Sequence, residues 1–204
     1  EVVRSNFYRN MLDSYQHEWS NGNHRADIMK AVMLTRMFSE KALEWPIGDD
    51  GKVSMRLEKL SVANGLVHEN AHDALSDVQV TIDLAKLIKN RRPALWDKFK
   101  MLSDKQTVKR MVESGKPLSL TQMFIPKEKY GTTIALPVFK DTKNANKYYL
   151  LDLVSDIKPI LEMETEELRS YLFTPKSKRE GKHLEIDVNI RSVSINKAPT
   201  INIP

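Results

Sequence analysis

The sequence predicts an α+β chain in two parts, a helical portion followed by a small antiparallel barrel or sheet with one helical insertion. Two observations carry this expectation. Before residue 118 apolar side chains recur at three- and four-residue steps, the period of a helix with one buried face. From residue 118 that period gives way to short strand-like runs, one of them strictly alternating, divided by turn residues. The charge divides in the same way. Residues 1–92 balance 13 basic against 13 acidic side chains, and residues 93–204 hold 19 against 14, so the whole net charge of +5 lies in the second half. A basic second half suits a polyanion or an acidic peptide. Charge alone does not separate that from an ordinary solvated surface.

The elements follow in chain order. Residues 3–19 read as a helix or helix-like approach, with Val3, Phe7, Met11, Tyr15 and Trp19 at steps of four, a stripe expected to face a core. Asn21-Gly22-Asn23 is a turn. Asp27 is placed to cap a helix over 28–43, where Met29, Val32, Met33, Arg36 and Met37 repeat and the methionines serve as core filling. Pro46, Gly48 and Gly51 make 44–55 a loop, and its adjacent acids Asp49 and Asp50 read as solvated rather than metal-binding. Ser54 is expected to cap a short helix carrying Arg56, Leu57, Leu60 and Val62, which Gly65 ends. A longer helix starts after Asp73. Its expected buried stripe is Ala74, Val78, Ile82, Ala85 and Ile88, widened by Leu75, Leu84 and Leu87. Lys86, Lys89, Arg91 and Arg92 suit the negative end of its dipole, and Pro93 stops it.

Residues 93–116 read as a basic connector, with helices on both sides of Ser103-Asp104. Strands are expected at 118–120, 132–138, 147–153 and 185–190, with turns at Tyr130-Gly131, 143–146 and Glu180-Gly181. Glu164 to Leu172 interrupts them as a helix for which Thr165 is a possible cap. Residues 189–204 read as extended segments without strand partners.

Composition excludes several classes. Cysteine is absent, so there are no disulfides and no thiolate zinc site, which fits a reducing compartment. No run of 18 apolar residues and no signal-peptide pattern occurs, so nothing points to a membrane.

His72 and Asp77 are the candidate chemical pair. At about 100° per residue, positions five apart on one helix diverge by about 140°. The two can therefore converge only if His72 sits in the loop before the helix and bends back over its first turns. A neutral imidazole can take a proton near neutral pH, and a carboxylate can hold a hard cation. Spacing alone is weak evidence, since His-x4-Asp occurs by chance and Asp77 is also a plain first-turn helix acid.

The surrounding residues are more specific. Asn-Ala-His-Asp-Ala-Leu-Ser-Asp-Val (70–78) resembles the third motif of the DEDD exonuclease superfamily in its His-x4-Asp variant. Asn-Phe-Tyr-Arg-Asn (6–10), Trp-Pro-Ile-Gly-Asp-Asp-Gly (45–51), Arg-Leu-Glu-Lys-Leu (56–60), Ala-Asn-Gly (63–65) and Ala-Lys-Leu-Ile-Lys (85–89) resemble bacterial exodeoxyribonuclease I. Looser similarity continues through Lys-Pro-Leu (116–118), Met-Phe (123–124) and Ile-Asn-Lys-Ala-Pro (195–199).

The resemblance implies the helical C-terminal part of an RNase H-like exonuclease domain over 1–93, a basic helical connector over 94–117 and an SH3-like domain over 118–204. In that family four carboxylates hold two divalent metals, and three of them would precede Glu1, so the sequence reads as an internal piece of a longer enzyme. The implied activity is 3′→5′ release of 5′-mononucleotides from single-stranded DNA by two-metal hydrolysis, in DNA repair or recombination. Two Mg²⁺ ions are expected, for which Mn²⁺ can substitute. His72 would be the general base, Asp77 a metal ligand and Arg56 a DNA-phosphate contact, for which an ion pair with Glu58 or another nearby acid is the alternative. Lys116 would meet the acidic tail of single-stranded DNA-binding protein. A cytoplasmic monomer is implied, with the piece inactive alone and residues 1–92 marginal without their central strands. The alternative is a non-catalytic DNA or acidic-peptide adaptor on a degenerate nuclease scaffold.

Overall fold

In the computed structural model, residues 2–66, 74–123, 125, 131–184 and 190–203 are described. They form two compact units, Glu1–Thr107 with Asn196–Ala198, and Val108–Ile195 with Pro199–Pro204.

The first unit is helical. Helix α1 spans Val2–Arg9 and α2 spans Gln16–Trp19. The single approach expected over 3–19 is broken between them. Met11 takes a left-handed φ of 57°, and the Asp13 carboxylate accepts the Tyr15 and Gln16 amides, restarting the helix. The core-facing stripe expected here is not one. Val3, Met11, Tyr15 and Trp19 are each more than half exposed, and no residue of α1 or α2 is buried. What joins the two helices is local. Arg4 forks onto both oxygens of Glu18 at 2.9 and 3.0 Å and lies 4.6 Å over the Tyr15 ring, while Phe7 meets His17 edge-on.

Helix α3 (Ile28–Phe38) starts where Asp27 accepts the Met29 amide at 3.0 Å, as the sequence predicts. It buries Ala31 through Arg36 on every side. It ends five residues earlier than expected, because Ser39 leaves helical geometry and a 3-10 turn over Glu40–Ala42 follows. The Trp45 indole then donates to Glu40 O at 2.8 Å, and the Arg36 guanidinium lies 5.1 Å over the Trp45 ring.

Helix α4 (Leu57–Ala63) ends as expected at Gly65, where φ is +71°. The Gly65 amide donates to Val62 O and the Leu66 amide to Ser61 O, the paired closing bonds that a left-handed glycine permits. Ser54 is not the side-chain cap of this helix. The cap position is Arg56, and Ser54 Oγ instead accepts the Arg56 amide at 3.3 Å.

Helix α5 (Ala74–Arg91) buries Val80, Leu84 and Ile88. Of the predicted stripe Leu84 and Ile88 are indeed buried, whereas Leu75, Val78 and Ile82 are 77, 56 and 43% exposed, and Val80, outside the prediction, completes the packed side. Helix α5 carries two apolar stripes, and the predicted set mixed residues of both. Its last turn is tied down by Arg91, which donates to Ala42 O at 2.9 Å. Pro93 ends α5 and opens α6 (Pro93–Ser103), in whose first turn its missing amide costs nothing. Helix α7 (Lys105–Val112) begins with Asp104 accepting the Thr107 amide at 2.8 Å. Both lie where the sequence placed them.

The second unit is built on one antiparallel sheet in the order β4-β3-β2-β1-β5. The strands are β1 (Leu118–Thr121), β2 (Thr132–Lys140), β3 (Lys147–Asp152), β4 (Ile190–Ser194) and β5 (Thr200–Asn202). The strand expected over 185–190 lies outside the described residues except for Ile190, which opens β4. The unpaired extended segments expected over 189–204 are paired: β4 runs along β3, and β5 along β1.

Register separates the two faces. Leu118, Leu120, Ala135, Leu150 and Ile201 share one face and are at most 1% exposed. Leu151 lies on the other face, where Ile160 and Tyr171 cover it from helices α8 (Lys158–Leu161) and α9 (Thr165–Phe173). The α9 cap position is Glu164 and not Thr165, without a side-chain cap bond. Gly131 turns the chain into β2 with φ +65°, and a Cβ there would sit 3.3 Å from Gln122 O.

Candidate functional site

Asp77 lies in the first turn of α5, half-buried. Counting along the helix places it three, seven and eleven residues before Val80, Leu84 and Ile88, so it heads the packed stripe rather than the open one. The helix behind it is held by that packing, each buried Leu or Ile contributing about 1.5–3 kcal/mol. Thr81 Oγ1 donates to Asp77 O at 2.7 Å, adding a bond to the same turn. An acid in this position is compatible with the positive end of the helix dipole. His72, the proposed partner, lies within 67–73, outside the described residues.

Arg56 is exposed at the cap position of α4. Its charge acts on Asp49 in the preceding loop. The Asp49 carboxyl is held below its ordinary value, first by a hydrogen bond from Lys59 at 2.8 Å and further by the Arg56 guanidinium. Asp50 Oδ1 accepts the Lys52 amide at 3.1 Å. Both acids of the loop are thus engaged with the chain around them.

Lys116 lies in the second unit, exposed in the turn before β1, its amide directed to Ser114 Oγ at 3.3 Å. The sequence-predicted site residues are therefore spread over α4, α5 and a turn of the second unit. Among the described residues no group of three or more His, Cys, Asp or Glu side chains could hold a metal ion. Asp77 has the right donor chemistry for a hard divalent cation, but one carboxylate does not make a metal site. No helix among the described residues is long and apolar enough to cross a membrane.

Sequence reasoning placed the strands and turn of the β2–β3 hairpin but assigned no functional residue to it. There Phe139 and Tyr149 pair across the strands with ring centroids 4.7 Å apart, and Lys147 Nζ lies 4.7 Å over the Tyr149 ring. The available signal was aromatic and lysine residues alternating on both sides of a turn, which reads equally well as ordinary strand patterning.

Comparison with known proteins covers both units. Residues 103–203 match the family described as the exonuclease I SH3-like domain. The chain is 36% identical over 203 residues to exodeoxyribonuclease I of Haemophilus influenzae, covering 98% of this chain and 43% of that protein. Its structure superposes with a TM-score of 0.86 on E. coli exonuclease I in complex with a dA16 oligonucleotide, at 35% identity over 98% of this chain and 42% of that one. A complex of exonuclease I with SSB-Ct aligns with a TM-score of 0.83 at 32% identity, over 99% of this chain and 43% of that one. The chain spans less than half the length of the curated relatives it matches.

Proposed function

The chain is a homologue of exodeoxyribonuclease I along 98% of its length, and from that premise we propose that it serves a 3′→5′ exonuclease acting on single-stranded DNA. The observation that carries this is the extent of the similarity. It spans 203 residues at 36% identity, taking in the helical unit with Asp77 and the SH3-like domain. A nuclease sharing only the His-x4-Asp motif would not match over residues 103–203.

The proposed roles are these. His72, from the segment before α5, accepts a proton from the attacking water. Asp77 contributes one carboxylate oxygen, on a helix turn fixed by packing, to a divalent-cation site whose other ligands lie outside the described residues. Divalent cations, Mg²⁺ in this reading, supply charge stabilisation at the scissile phosphate when bound. Arg56, solvent-exposed at the start of α4, offers a guanidinium to a DNA phosphate. Lys116 offers a cation to the acidic tail of single-stranded DNA-binding protein. The setting is cytoplasmic DNA repair or recombination.

The test is nucleotide release by the full-length protein from single-stranded DNA labelled at either end, with and without Mg²⁺. Metal-dependent mononucleotide release from the 3′ end, lost in Asp77→Asn, is the expected result. Binding of single-stranded DNA without release under any divalent cation would replace the enzyme with the adaptor reading.

A further inference from the structure

The β2–β3 hairpin presents a flat aromatic surface that no predicted function uses. Register explains how it arises. Pro137 pairs with Leu150, and the next pair is Phe139 with Tyr149, so Val138 is an extra, bulged residue. Without the bulge Phe139 would share the face of Pro137 and Leu150, and Leu150 is fully buried. The insertion moves Phe139 onto the opposite face, beside Tyr149.

Helices α8 and α9 cover that face at Leu151 and Ile190. At the hairpin end it stays open, and Phe139 is 52% exposed. The two rings lie 26° from parallel, and Tyr149 is flanked on β4 by Ser192, too small to cover it. Tyr149 is also fixed in place. Its hydroxyl donates to Asp141 at 2.9 Å, and Asp141 in turn accepts the Lys143 and Asn144 amides. That carboxylate is committed to bracing the turn. The lysines are the exposed Lys143 in the turn and Lys147 against the Tyr149 ring.

We propose that the Phe139–Tyr149 ring pair is a stacking site for a base of single-stranded nucleic acid, with Lys143 and Lys147 neutralising adjoining phosphates. The inference rests on the single-stranded DNA reading above and adds a contact site to it. A rigid, half-open ring pair beside cations fits a chain that alternates flat bases with negative charges. A duplex hides its base faces in the stack, and an acidic peptide would use the lysines while leaving the ring surface idle.

The test is equilibrium binding of fluorescent oligothymidylate to the full-length protein in EDTA, over a series of salt concentrations. Phe139→Ala is expected to weaken binding about tenfold, the loss of one stacked base, and Phe139→Trp to restore it. Replacing Lys143 and Lys147 by Gln is expected to lower the salt slope by about 0.7 for each. Unchanged affinity in Phe139→Ala, or failure of Phe139→Trp to restore it, overturns the site while leaving the single-stranded DNA reading intact. Weakening confined to an acidic peptide assigns the surface to peptide instead. Failure of the unaltered protein to bind the oligonucleotide sinks both.

Discussion

Helix α5 and strand β1 show how differently the two units use apolar residues. In β1 every residue is buried, including Ser119 and Thr121, because the strand has neighbours on both edges and cover on both faces. In α5 one apolar stripe is packed and a second, Leu75, Val78 and Ile82, is open. Helix α1 carries the contrast further, with no buried residue at all despite Val2, Val3 and Phe7. An apolar period therefore marks surface able to be covered; whether it is covered depends on what the rest of the fold brings to it.

The comparison is sharpened most by chemistry. His72→Ala in the full-length protein is expected to lower turnover about 10²- to 10⁴-fold with DNA affinity preserved, measured by single-turnover release and by binding in EDTA. Unchanged turnover would remove His72 as the proposed general base and leave Asp77 as the group on α5 still to be tested.

The next largest effects belong to the sheet. Asp152 is 4% exposed, accepts from Thr133 Oγ1 and pairs with Arg191 at 3.2 Å. Asp152→Ala leaves the guanidinium, 18% exposed, without that partner and is expected to cost about 3–5 kcal/mol, read by urea denaturation. Leu150→Ala opens a cavity at a fully buried position, with an expected loss of about 2–5 kcal/mol. Val78→Ala on the open stripe of α5 is expected to stay within about 0.5 kcal/mol by the same measurement. Equal losses at Leu150 and Val78 would break the comparison outright.

A smaller effect is set by pH. Hydrogen bonds from Thr107, side chain first and then amide, hold the Asp104 carboxyl below its ordinary value. The lowered value means that this cap stabilises α7 at neutral pH. Its contribution is lost as pH falls below about 4, through the folded-state value. Asp104→Ala is expected to cost about 1 kcal/mol at pH 7 and nothing once the carboxyl is protonated, followed by thermal melts across that range. Tyr148, buried and hydrogen-bonded to Glu113, is pushed up to about 12. Its phenol should therefore stay neutral in a spectrophotometric titration well past the ordinary tyrosine range.

Much of the chain was legible because its signals are local. The Asp27 cap, the Gly65 stop, the Pro93 boundary and the break at Ser103-Asp104 each depend on one or two residues and their nearest backbone groups. The first three strands were legible for the same reason. Misreadings fell where a signal has two solutions. Helix α5 has two apolar stripes, and the period cannot rank them. In 3–19 a step of four persists through Met11, where the backbone itself turns away. For the candidate site, the type and position of Asp77 were readable from sequence, as was its first-turn setting. That it heads the packed stripe was not, since this follows from which side of α5 meets its neighbours.

By itself the sequence determined the helix caps and stops, the two-part character of the chain and the family resemblance, because each is written in residues close together along the chain. Tertiary structure alone decided which stripe of α5 is buried, that β4 and β5 find partners on opposite edges of one sheet, and that a bulge at Val138 turns Phe139 outward beside Tyr149. Each of these is a choice among pairings of similar local cost, and only contacts between residues distant in sequence make one of them lower in free energy.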